Sequence, residues 1–219
     1  MKYFIILLLS FSILDSLAQI DKGDKFIGLQ GGGYLNDSFI DKVNYKKDWS
    51  YNSTLSFGKV TSNNVVVGFQ LTYGHSYYFN WWEYYFYKRS ELSAGYFRRY
   101  YKPISKRLYI WGQAGVNYTY NTQTSLGGRS WGKGMPFDYW GHTLNVVVYP
   151  GLSYSINKSI QIEASYRDLL NLYASKRTEY IAVIVNSPRI KNTALGFAAN
   201  KNLNLAWQLG VRLFITKKK

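Results

Sequence analysis

From residue 27 onward the chain alternates large apolar residues with small or polar ones, segment after segment, and no later window holds 18 consecutive apolar residues. A period of two places successive side chains on opposite faces of an extended strand, whereas an amphipathic helix needs apolar residues at i, i+3, i+4 and i+7. No long stretch keeps the helical stripe. Residues 27–35, 49–57, 65–74, 91–99, 108–119, 143–153, 160–167 and 203–213 each show the alternation, as in Leu92, Ala94 and Tyr96 against Glu91, Ser93, Gly95 and Arg99. An even count of about eight strands, each near the roughly 10 residues that cross a bilayer at a tilt, predicts an all-β, transmembrane, antiparallel up-and-down β-barrel.

The connections support that prediction. Residues 60–64, 102–106 and 157–158 are short links, while 36–48, 75–88, 121–141 and 170–202 are long. Short periplasmic turns and long extracellular loops are what a barrel inserted from one side leaves. A soluble barrel carries charge outside and apolar residues inside, but here the large apolar and aromatic parity is continuous and the other is mostly Gly, Ser, Thr, Asn and Gln. Two places resist the pattern. Arg98 and Arg99 are adjacent, so one faces outward, close to the turn around Pro103. Pro150 lies inside the sixth strand, where its missing N–H predicts a bulge or an early loss of pairing at Pro150 and Gly151.

The first 18 residues form a separate unit. Lys2, an apolar run from Tyr3 to Leu14, and small residues at Ser16 and Ala18 match a secretory signal peptide cleaved after Ala18, leaving residues 19–219 as the barrel domain. The run is too short for a membrane-spanning helix. Export weakens the nucleic-acid reading that a net charge of +15 would otherwise invite. With no cysteine there are no disulfides, thiolate metal sites or cysteine nucleophiles. The 22 Tyr, 12 Phe and 7 Trp are expected in a lipid-facing wall and its girdles.

The runs Gly95-Tyr96-Phe97-Arg98-Arg99-Tyr100-Tyr101-Lys102-Pro103 and Tyr149-Pro150-Gly151-Leu152-Ser153-Tyr154, with Ser56-Phe57-Gly58-Lys59, resemble the outer-membrane β-barrel domain family of Bacteroidota, which are small porin-like or OmpX-like barrels. The resemblance covers essentially the whole mature chain. It implies insertion in the outer membrane by the barrel assembly machinery, with no established activity and no cofactor.

Candidate site residues follow from the faces. Glu91, Arg99, Glu163, Arg167 and Arg212 all fall on the lumenal parity, and buried charges must be paired, so a network that fills the lumen is expected in place of an ion path. Trp49, Tyr51, Tyr77, Tyr78, Trp81, Trp82, Tyr84 and Tyr85 are expected in an upper aromatic girdle and an external hairpin. Lys88, Arg89, Arg129, Lys133, Lys176, Arg177, Arg189 and Lys191 fall in or beside external segments, where they could neutralise lipopolysaccharide phosphates. The run Gly127 to Lys133 has the spacing of a phosphate loop, but Gly134 stands where Ser or Thr would hold the metal. It reads as an external loop.

The expected function is therefore that of a monomeric, non-enzymatic outer-membrane barrel with a structural, adhesion or limited-permeability role, in contact with lipid and lipopolysaccharide. No metal and no nucleic acid are expected. Two alternatives are a lipid-A-modifying enzyme using His75 or His142 with an external Ser and a carboxylate such as Glu83, and an accessory barrel of a secretion or assembly system. His75 and Ser76 are adjacent and so point to opposite faces of a strand, which disfavours their pairing.

Overall fold

The computed structural model describes residues 20, 22–40, 44–80, 85–126, 136–167, 169–181, 189–199 and 207–215. They form β1 (Lys25–Ile40), β2 (Asn44–Ser62), β3 (Val65–Asn80), β4 (Tyr85–Pro103), β5 (Leu108–Leu126), β6 (Pro136–Ser155), β7 (Ile160–Tyr166), β8 (Leu170–Ile181), β9 (Ile190–Ala199) and β10 (Trp207–Ile215). All neighbours run antiparallel. Strands β1 to β6 pair in sequence order, β6 pairs with β7, β7 with β10, and β10 with β1, so eight strands close a ring. The fold is an all-β up-and-down barrel.

β8 continues along the upper part of β6 after β7 has paired with its lower part, and β9 is laid against β8. Residues 170–202, expected as a connection, thus contribute two strands. The same holds in smaller measure elsewhere: the β1–β2 ladder runs on to Ile40 and Asn44, and the β3–β4 ladder to Asn80 and Tyr85. The main-chain ladder needs no apolar face, so it continues beyond the point where alternation gives out.

The irregularity expected at Pro150 is one-sided. Against β5 the register passes through Gly112↔Pro150 and Trp111↔Gly151 without a break. Against the other side it passes from Gly151↔Ser165 on β7 to Val148↔Leu170 on β8, with no register partner given to Tyr149 or Pro150 among the described residues. Proline has no N–H to donate, and the chain divides into β7 and β8 at that height.

Every ring strand presents large apolar side chains outward. Leu29, Leu55, Phe69, Leu92, Val116, Val146, Ile162 and Leu209, one from each of the eight, are between 43% and 68% exposed. On β4 the outward series from Leu92 to Tyr100 covers nine residues, roughly 30 Å of strand. At a 45° tilt that gives about 21 Å of height. A closed belt of this size has no place on a molecule surrounded by water. Arg98 faces outward near the lower rim, its guanidinium 4.8 Å from the Tyr100 ring.

The inward face changes character along the axis. At the end with the short turns it is aromatic: Phe26, Phe97, Tyr101, Tyr109, Trp111, Tyr149 and Phe214 are buried with Val60, Val66 and Val147. The alternation had suggested that the aromatics belong to the outer wall, yet these share parity with Gln and Gly further along the same strands. Gly58 and Gly68 face each other across β2 and β3, where a Cβ on Gly58 would lie 2.7 Å from the Gly68 Cα and 2.8 Å from the Phe26 ring. Their lack of side chains admits that ring. The β2–β3 turn at this end is closed by Asn64 with φ at 64°, a left-handed position that Asn tolerates better than most residues.

Candidate functional site

Directly above the aromatic layer, β4, β7 and β10 bring Arg99, Glu163 and Arg212 together, each no more than 1% exposed. Arg99 Nη1 donates to both oxygens of Glu163 at 2.8 Å, and Arg99 Nε donates to Gln113 Oε1 at 2.8 Å. Arg212 Nη2 lies 3.3 Å from Glu163 Oε2, an ion-pair distance without hydrogen-bond alignment. The Tyr101 hydroxyl accepts from Arg99 Nη1 at 3.2 Å and Arg212 Nη1 at 2.5 Å, and donates to Glu163 at 3.1 Å. Gln30 Nε2 adds a bond to Glu163 Oε2 at 3.0 Å.

Aromatic rings carry the cations from beneath. The Arg99 guanidinium sits 3.6 Å from the Trp111 ring centroid, and that of Arg212 4.3 Å from Phe26. Stacking on a ring face suits the planar, weakly hydrated guanidinium and offsets part of its desolvation. Two guanidinium groups meet one carboxylate, so the cluster carries a net charge of +1. The Tyr101 oxygen, accepting twice, absorbs some of that excess. A chain of amides continues across the bore from Gln113 to Gln70 at 3.1 Å and from Gln70 to Asn117 at 2.9 Å, while Gln113 also reaches Tyr149 at 2.5 Å.

The five lumenal charges named from sequence are divided between two levels. Glu91 pairs with Arg89 and not with the central cluster. Glu91, Arg89 and Arg167 line a hollow of about 170 Å³ nearer the hairpin end, with Ser50, Asn52 and Ser76. Parity placed all five inward, but parity carries no height. Tyr101, Gln30, Gln113 and Trp111 escaped the sequence reading, although each shares the inward parity of the charged residue it touches. A second, larger hollow of about 430 Å³ is lined by β5, β6 and β8, among them Asn121, Thr143, Asn145, Asn171, Tyr173 and Arg177, and it too reaches Arg89.

The expected girdle residues fall into two groups. Trp49, Tyr51 and Tyr77 form an outward stack with His75, with Trp49 5.9 Å from Tyr51 and 6.0 Å from Tyr77. Tyr78 and Tyr85 have the inward parity and pack with Tyr87 at 5.4–6.4 Å. Burial, and then the nearby Asp48 carboxylate, push the Tyr87 phenol above its ordinary pKa. Trp81, Trp82 and Tyr84 lie outside the described residues, as do Glu83, Arg129, Lys133 and the signal segment.

Both histidines face outward. His75 Nδ1 is 2.8 Å from Ser90 Oγ, and His142 Nδ1 is 2.6 Å from the Tyr118 hydroxyl, over whose ring it stacks at 5.7 Å. Among the described residues no carboxylate is paired with His75. Nor does any group of three His, Cys, Asp or Glu there have metal-binding geometry. Of the expected external cations, Arg177 has the lumenal parity yet keeps its side chain 45% exposed, pairs with Glu179 at 2.9 Å and covers the Tyr139 ring at 3.6 Å. Lys88, Lys176, Arg189 and Lys191 are exposed.

No protein-family model and no curated protein sequence matches the chain. Among solved structures it is similar to the outer membrane protein OprG from Pseudomonas aeruginosa, at 14% identity and a TM-score of 0.48 over 92% of this chain and 100% of that one. It is also similar to a major outer membrane protein from Thermus thermophilus, at 10% identity and a TM-score of 0.47 over 88% and 99% of the two chains. A third is Neisserial surface protein A, at 17% identity and a TM-score of 0.38 over 87% and 96%. Identities this low and TM-scores below 0.5 leave the chain's own residues to carry its function.

Proposed function

We propose that the chain is an integral outer-membrane barrel of the porin-like or OmpX-like kind, without catalytic activity, with a structural, adhesion or limited-permeability role. The observation that carries this reading is the belt of exposed apolar side chains present on all eight ring strands, set against a buried polar and ionic interior. Hydrocarbon accepts such a wall, and a closed ring leaves no unpaired edge within the part that it closes. Residues 1–18 export the chain, the barrel assembly machinery inserts it, and Lys88, Lys176, Arg189 and Lys191 contact lipopolysaccharide phosphates.

Cell fractionation and gel mobility test the reading together. The protein is expected in the outer-membrane fraction and to migrate differently before and after boiling. A soluble periplasmic protein with no heat-dependent shift would refute it.

The 2.8 Å contact of His75 with Ser90 favours a second reading, an outward-facing acyl hydrolase acting on lipid A. A base beside a hydroxyl is the minimum for nucleophilic catalysis, but the third, orienting group is not among the described residues. Mass spectrometry of lipid A from cells with and without the protein decides between the two. The first reading expects identical spectra; an acyl change abolished by His75→Ala or Ser90→Ala establishes the second.

A further inference from the structure

The 430 Å³ hollow between β5, β6 and β8 lies on the hairpin side of the Arg99–Glu163–Arg212 layer, and the lumen-filling network does not use it. Its volume falls in the range of about 300–1,000 Å³ typical of small-molecule sites. Three asparagines, Asn121, Asn145 and Asn171, project into it from three neighbouring strands. Asn145 and Asn121 each spend a donor on a threonine, Thr119 at 3.2 Å and Thr143 at 3.5 Å. The Asn171 side-chain oxygen is shielded from solvent and has no hydrogen-bond partner. Gly141 keeps the wall thin there, since a Cβ would come within 3.1 Å of Asn121 Oδ1.

We propose that this hollow binds a saccharide unit, one or two sugar rings in size. A primary amide offers a donor and an acceptor from one planar group, which matches two adjacent hydroxyls of a sugar ring. The ring of Tyr173 supplies a flat face for the C–H side of the sugar, while the Tyr139 ring in the same lining is covered by the Arg177 guanidinium at 3.6 Å. The charges favour a neutral polyol over a phosphate: of the three cations in the lining, Arg89 is tied to Glu91 and Arg177 to Glu179, and Lys176 stands on the exposed, outward parity of β8. The large aliphatic side chains that a lipid tail would require are absent from the lining. The filled layer below leaves the hairpin end as the route of entry.

The same chemistry could come from free sugars in the medium or from the sugars of lipopolysaccharide. Isothermal titration of the full-length protein in detergent micelles distinguishes them, using glucose, galactose, N-acetylglucosamine, maltose and cellobiose in one arm and delipidated core oligosaccharide in the other. At least one ligand is expected to bind, and Asn145→Leu and Asn171→Leu are each expected to weaken it about tenfold. Thr122→Val, on the outward face of β5, should leave it unchanged. Each sample is checked for its heat-dependent gel shift; where a leucine variant fails that check, Thr143→Val replaces it, with the same expected weakening. Absence of binding in both arms, or affinities indifferent to these substitutions, overturns the proposal. Binding is read in micelles, so it stands or falls independently of where the barrel resides in the cell.

Discussion

Glu163 receives four hydrogen bonds from three residues on two other strands, β1 and β4, and has both guanidinium groups within 3.3 Å. Glu163→Gln keeps the shape but leaves two buried cations without a counter-charge, which should cost about 3–5 kcal/mol in urea unfolding from lipid vesicles. Arg212→Met behaves differently. It leaves the Arg99–Glu163 pair intact and lowers the buried charge from +1 to zero, so its cost should be much the smaller of the two. Equal losses would show that the pairing is not what stabilises the cluster. Gly151 is a second sensitive position: a Cβ there would overlap the Trp111 ring and lie 2.7 Å from the Ala164 carbonyl, while Trp111 is pinned beneath Arg99. Gly151→Ala is expected to destabilise by about 1–3 kcal/mol in the same assay, with quenched or shifted tryptophan emission. Arg99, Glu163 and Arg212 were legible in the sequence because alternation fixes the face of each residue. That Glu91 and Arg167 stand at another level was not, because height depends on register between strands that are far apart in the chain.

At the scale of single strands, period two located all eight ring strands and failed where its physical basis ends. β9 is exposed on both faces, and β8 carries Lys176, Arg177 and Glu179 in succession or alternation, so neither shows a clean apolar side along its length. The signal measures contact with apolar surroundings; hydrogen bonding alone extends the hairpins and leaves no trace in hydropathy. The belt gives a depth-dependent expectation. Val116→Arg, mid-strand on β5, should cost about 2–4 kcal/mol, whereas Arg98 occupies a rim position on β4 where the cost is about 0–1 kcal/mol. Vesicle unfolding of the Val116→Arg and Arg98→Leu variants measures both. A negligible effect at position 116 would place the belt outside hydrocarbon.

For the whole molecule, the decisive property is that the bore is stacked in layers: aromatic rings at the short-turn end, ions and amides above them, hollows beyond. Eight strands enclose a space that side chains can fill. Purified protein in a planar bilayer is therefore expected to show no steady ion conductance, and Phe97→Ala combined with Trp111→Ala to show a measurable one. An open channel in the unaltered protein would mean that the ionic layer yields under voltage.

The ring is closed by the two ends of the chain, and that closure is narrow. β1 meets β10 through seven register pairs, Lys25↔Ile215 to Gly31↔Leu209, against sixteen between β1 and β2. Contacts so distant in sequence form late, because the loop they close must be ordered first. Gln30 on β1 bonds across β10 to Glu163 on β7, and Arg212 rises from β10 between them, so the ionic cluster works as a clasp over the zip. Loss of the clasp should then appear in the lifetime of the inserted state, with Glu163→Gln speeding release of the terminal strands far more than it slows their arrival.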